Sequence, residues 1–180
     1  FDTLVAFEPG TTTIRPSLAE SWTISPDGRE YSFTLRANVA FHRNARFTPT
    51  RPLAAEDVVF SLERIIKATF APYTVRKRDT LPNLSSVEIV DPHTIRVHAT
   101  RPEPLFETLL NTQQTMIAPK AYIMGLSGDP GKIEDSDFEA FALKPVGTGP
   151  YKITEFVPNQ RLVYERFDDF WGEKSENELY

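Results

Sequence analysis

Prolines fall so often along this chain that no array of long helices can be threaded through it. There are 15 of them, against 8 glycines, in 180 residues. Each removes a backbone N–H and fixes φ near −65°, so it ends or kinks a helix and is confined to turns and sheet edges. The chain must therefore fold from short elements joined by shaped loops, and a helical bundle is excluded. Between the prolines the composition is that of a core-forming domain, 40% hydrophobic and 25% charged, which argues against disorder. The 20 Lys and Arg are outnumbered by 25 Asp and Glu, the wrong balance for a nucleic-acid partner. Without cysteine there is no disulfide framework, thiolate nucleophile or Cys-ligated metal. No apolar run approaches the roughly 18 to 20 residues of a membrane span. The opening residues carry no basic or apolar leader, and the spacing of Phe1, Leu4 and Val5 predicts the buried face of a helix that begins upstream.

Three segments alternate in the manner of hairpins. Trp22 and Ile24 lead into the turn chemistry of Ser25-Pro26-Asp27-Gly28, and Tyr31, Phe33 and Leu35 return with polar Ser32 and Thr34 between them. Val87 and Ile89 pair through Asp91-Pro92-His93 with Ile95 and Val97. Tyr151, Ile153 and Phe156 pair through Pro158-Asn159-Gln160 with Leu162 and Tyr164. Between the first two lies a helix over 54–67, with Val58, Leu62, Ile65 and Ile66 on one face. Its acidic first turn, Glu56 and Asp57, suits the positive end of the helix dipole, as Lys67 suits the other. Residues 68–83 read as a loop holding Tyr73 and the basic run Arg76-Lys77-Arg78. A short helix is expected over 105–110, a short strand over 115–118, a helix opened by Pro119 through Met124, and a linker over 125–131. Hairpins and helices in this order predict a mixed α/β (α+β) domain with largely antiparallel sheets.

The chemistry-bearing residues are sparse. His42, His93 and His98 lack the three or four convergent ligands of a zinc site. The carboxylates of Asp135 and Asp137, or of Asp168 and Asp169, could serve a small hydrolase or transferase. Solvated acidic loops explain them as well, and no Ser-His-Asp order or Gly-x-Ser-x-Gly turn accompanies them. Gly147-Thr148-Gly149-Pro150 lacks the Lys-Ser/Thr and the following helix of a phosphate loop, and reads as a turn leading into a strand. Tyr73, on a loop after Ala71-Pro72, is placed either to cover the local core or to meet a ligand.

Read together, three blocks resemble one family. They are Pro16-x-Leu18-Ala19-Glu20-Ser21-Trp22 with Ser25-Pro26-Asp27-Gly28-x-x-Tyr31-x-Phe33-x-Leu35-Arg36; Phe47-Thr48-Pro49-Thr50-Arg51-Pro52-Leu53 into Ala55-Glu56-Asp57-Val58-Val59-Phe60-Ser61; and Pro145-Val146-Gly147-Thr148-Gly149-Pro150-Tyr151 with Arg161 to Arg166 and Phe170-Trp171-Gly172. They resemble, in family order, the extracytoplasmic solute-binding proteins of family 5, the peptide- and nickel-binding receptors of ABC importers. The second block is similar to the dipeptide-type and antimicrobial-peptide-type members.

The resemblance implies a periplasmic-binding-protein-like fold of two lobes, about three times this length, of which the chain is part of the first lobe. Residues 1–118 would be its small subdomain and 119–180 the returning segment of that lobe, with the second lobe and a strand before Phe1 outside the chain. It implies a monomeric receptor, periplasmic or lipid-anchored, that captures short peptides and delivers them to permease subunits. No enzyme activity, cofactor or metal is implied. Nickel or an oligosaccharide is the alternative cargo. The residues that clamp peptide termini in relatives would lie outside this chain. Tyr73 is the one residue that the resemblance turns toward a ligand, because Ala71-Pro72-Tyr73 resembles a Ser-Pro-Tyr loop whose tyrosine faces peptide. The tail, 173–180, lacks the alternating apolar strand of the family.

Overall fold

Strict period-two alternation in 30–35 and 94–99 dictates a sheet with one wet and one dry face, and the two segments pair with each other. A computed structural model describes residues 1–67, 81–112, 115–127, 141 and 143–172. Its central sheet has the order β3-β4-β6-β5, from β3 (Ala19–Ile24), β4 (Glu30–Leu35), β5 (Leu84–Asp91) and β6 (Thr94–Ala99). All its pairings are antiparallel, with Phe33 opposite Trp22 on one side and Ile95 on the other. Tyr31, Phe33 and Leu35 of β4 and Ile95, Val97 and Ala99 of β6 are buried. The opposite face carries Glu30, Arg96, Glu88 and His98, joined by ion pairs such as Arg96 to Glu88 at 3.0 Å.

The dry face is covered by α1 (Ala55–Lys67), which packs on β5 and β6. Val58, Leu62 and Ile65 are its buried stripe and Ile66 is partly buried, as its apolar spacing requires. The turn from β3 to β4 is closed by Gly28 at φ 66°, a conformation that costs glycine little. A Cβ there would also come within 3.3 Å of Pro102.

The remaining elements are β1 (Val5–Phe7), β2 (Ile14–Pro16), α2 (Phe106–Leu109), α3 (Lys120–Ser127), β7 (Tyr151–Val157) and β8 (Arg161–Arg166). Three sequence expectations are corrected. Leu4 and Val5 are buried, yet not on a helix: Val5 pairs with Pro16 in the two-stranded sheet β1-β2. Their helix-like spacing arises because Leu4, just ahead of the strand, also faces the core. Residues 115–118 form no strand; Ile117 is buried in an extended stretch whose amide donates to the Asp2 carbonyl at 3.1 Å. Gly125 belongs to α3, so the expected linker does not begin there, and residues 128–131 of it lie outside the described residues. Among the described residues no helix is long and apolar enough to cross a membrane.

Candidate ligand-binding site

Two polar networks anchor the loops of this fold. The first centres on Asp57, at 1% exposure in the first turn of α1. Its carboxylate accepts the amides of Ala54 at 3.0 Å and Lys120 at 2.9 Å, and the Arg51 guanidinium at 2.6 Å. One buried anion thus satisfies N–H groups at the start of α1 and at the start of α3, two sets left open by helix geometry. The Arg51 guanidinium, which also meets Glu56, is held further toward its charged form by the hydrogen bond to Asp57. Ser61 adds a second tie from α1, donating to the Asp57 carbonyl at 2.8 Å and accepting the Ala118 amide at 3.2 Å.

The second network centres on His42, which is buried. Its amide donates to the Gly147 carbonyl at 2.8 Å. Nε2–H donates to the Gly149 carbonyl at 2.8 Å, and Nδ1 accepts the Gly147 amide at 3.4 Å. Both nitrogens are therefore used by the neutral ring, whose edge meets Phe167 at 4.7 Å. A Cβ at Gly147 would lie 2.9 Å from the Phe1 ring, so the turn needs glycine for close approach. The turn leads directly into β7, as the sequence predicts.

Burial lowers the His42 pKa below the usual histidine value, partly opposed by the hydrogen bond to Gly149. The unfolded chain binds a proton at this residue below about pH 6.5, before the folded chain does. His42 therefore leaves stability intact above that pH and erodes it as the pH falls through the folded pKa. Urea unfolding at pH 7.5 and 5.5 should show a loss at the lower pH that is smaller in His42→Asn. An equal loss in both would refute the assignment.

Apart from the Asp57 network, and bordered by Pro150 at the end of the glycine turn, lies a cleft of about 710 Å³. Arg15, Ser17, Arg36, Asn111, Trp171 and Asp2 supply its polar lining. Arg36, immediately after β4, donates through Nε to the Ser17 carbonyl at 2.7 Å and lies over the Trp171 ring, 5.0 Å from its centroid. The indole N–H of Trp171 donates to Asp2 Oδ2 at 3.0 Å, and the same oxygen accepts Thr148 Oγ1 at 2.8 Å. Arg15 donates through Nε to the Phe7 carbonyl at 3.2 Å. Guanidinium groups held by backbone carbonyls, beside an indole and a carboxylate that hold each other, make a surface suited to recognition.

The sequence candidates distribute unevenly. Tyr73, the basic run at 76–78, Asp135 and Asp137 and the tail 173–180 lie outside the described residues. Asp168 and Asp169 are exposed in the turn after β8. His98 faces Glu30 with Nδ1 at 3.7 Å and Glu88 with Nε2 at 3.5 Å, so its two neighbours lie on opposite sides of the ring and cannot share one cation with it. Among the described residues no cluster of His, Cys, Asp or Glu is arranged to hold a metal.

What sequence reasoning missed is the convergence of the motif blocks. Arg36 ends the first block and Trp171 lies in the last, and they stack. Asp57 of the second block fixes the chain ahead of α3, and Gly147 and Gly149 of the last hold His42. The signal available was their shared membership of one set of motifs.

The chain is 38% identical to the dipeptide-binding protein of Escherichia coli (strain K12) over 184 residues, covering 97% of this chain and 33% of that protein. It is 36% identical to heme-binding protein A of Haemophilus influenzae, covering 95% of this chain and 32% of that protein. The solved structure of DppA, an ABC transporter-associated periplasmic binding protein from Helicobacter pylori, in complex with the peptide STSA, superposes with TM-score 0.83. That pair is 33% identical and covers 97% of this chain and 34% of the other. The chain thus spans about a third of the length of the proteins it matches. The model for bacterial extracellular solute-binding proteins, family 5 Middle, matches residues 13–178, and the chain belongs to that family.

Proposed function

We propose that the protein containing this chain is the substrate-binding component of an ABC importer, capturing short peptides in the periplasm and delivering them to a membrane permease. The observation that carries this reading is the similarity, over 97% of the chain, to a dipeptide-binding protein and to a receptor solved with a bound peptide. Binding makes and breaks no bond. The receptor encloses an extended ligand, and the closed form, favoured because it binds the ligand better, is what the permease recognises. Residues 1–118 act as the small subdomain of the first lobe and 119–180 as its returning segment, in a monomeric receptor. Tyr73 is the residue assigned to contact the ligand.

Calorimetric titration of the full-length protein with di- to pentapeptides tests the assignment. Saturable heat from at least one peptide is expected, and no measurable affinity in residues 1–180 alone. A second reading, a receptor of the same family for a metal complex, is favoured by the heme-binding relative. Heat from heme or a nickel chelate, with none from any peptide, would replace the peptide reading with it.

A further inference from the structure

The ring of His42 holds both ends of one buried turn. Nε2–H donates to the Gly149 carbonyl and Nδ1 accepts the Gly147 amide, and Thr148 between them has no exposed surface. The Thr148 hydroxyl donates to Asp2 Oδ2, the oxygen that also accepts the Trp171 indole N–H. Gly149 lies against the same aspartate: a Cβ there would come within 3.7 Å of Asp2 Oδ1 and 3.3 Å of the Phe1 nitrogen. Trp171 in turn carries Arg36 over its ring. An unbroken run of contacts therefore leads from a buried titratable ring to the Arg36 and Trp171 wall of the cleft, and Pro150, the last residue of the turn, lines that cleft as well.

We infer that His42 is a positioning residue for the cleft: through the turn of residues 147–150 its ring fixes where Asp2 holds Trp171. Being buried, it acts on the cleft only through these neighbours. The neutral ring suits the turn because it offers one donor to a carbonyl and one acceptor to an amide. A proton taken up from solvent at Nδ1 turns that acceptor into a donor facing the Gly147 N–H, and two buried donors cannot satisfy each other. One end of the turn must then let go, and Thr148 and Asp2 move with it. Burial opposes the imidazolium most; the Gly149 carbonyl and Asp2 favour it, and the Phe1 amino group and Lys152 oppose it. The ring is therefore neutral at neutral pH, and the wall loosens in acid. The effect on peptide affinity rests on the proposed function, whereas the state of Trp171 does not.

Nitrogen-15 spectra of the full-length protein read the Trp171 indole N–H, its signal assigned by its loss in Trp171→Phe. In His42→Gln the side-chain amide can donate to Gly149 and accept from Gly147, and it takes up no proton. At pH 7.5 the Trp171 signal should stay in place in His42→Gln and move in His42→Leu, which offers neither bond. Between pH 7.5 and 5.0 the parent signal should shift along one titration curve. That shift should vanish in His42→Gln, and also in Thr148→Val, which cuts the link from turn to carboxylate. A parent signal that ignores pH, or one that shifts equally in either variant, would overturn the inference. If His42→Leu does not fold, the glutamine and valine variants decide the matter. Calorimetry with the tetrapeptide STSA reads the consequence: binding should weaken about tenfold from pH 7.5 to 5.0 in the parent and less than about threefold in His42→Gln. Equal weakening in both would remove the role in binding. No heat from STSA at either pH would count against the peptide reading, and the indole signal would still decide the role of His42.

Discussion

Replacing Asp57 with alanine should lower the stability of the fold by about 3 kcal/mol, because buried N–H groups left without an acceptor cost about 1 to 3 kcal/mol each. The amides of Ala54 and Lys120 lose their partner together, and α1 and α3 lose the anion that joins their first turns. Arg51, whose side chain is 37% exposed, can turn to water, so Arg51→Ala should cost only about 1 kcal/mol. Asp57→Asn keeps the shape and one acceptor oxygen, and should fall between the two. In a chain of this size the alanine variant should melt roughly 6 to 12 °C lower. An Asp57→Ala midpoint within 2 °C of the parent would show that the carboxylate is not the joint described.

Phe33→Ala should cost about 3 to 5 kcal/mol, the range for removing a fully buried phenylalanine from a core that cannot collapse around the gap. Phe33 has no exposed surface and stacks on Trp22 with ring centroids 6.2 Å apart. It sits mid-sheet, held on both sides by ladder hydrogen bonds, so the backbone cannot move in to fill the space. Phe33→Leu retains most of the volume and should cost under about 1.5 kcal/mol. Urea unfolding of both variants tests this, and equal losses would mean that the ring is not packed as described.

The hairpins were legible because alternation and turn chemistry act over a few residues. Tyr31, Phe33 and Leu35 announce their face wherever the partner strand comes from, and Ser25-Pro26-Asp27-Gly28 fixes the reversal. The helix of 55–67 was equally plain from Val58, Leu62 and Ile65. Short elements lacked that redundancy. In β1, three residues offer barely one period, so Leu4 and Val5 could imitate a helix face. At 115–118 burial in an extended stretch imitated a strand, because apolar side chains report burial and a strand needs an edge to pair with. The cleft was least legible: Arg36 over Trp171 joins residues 135 positions apart, a contact that no local rule announces. The motif resemblance gave the family, and Tyr73 is where it pointed for ligand.

Asp2 ties the two ends of this order together. Its carboxylate accepts hydrogen bonds from residues 146 and 169 positions further along, so these links close loops nearly as long as the chain. Hairpins form in microseconds from neighbours in sequence, whereas contacts of such high order wait for the intervening chain to be organised. During synthesis from the N-terminus, β3 and β4 can pair while Asp2 still lacks its partners. The floor of the cleft cannot be completed until Trp171 has emerged. The cleft is therefore among the last parts of this segment to be completed, because its closing contacts span nearly the whole of it.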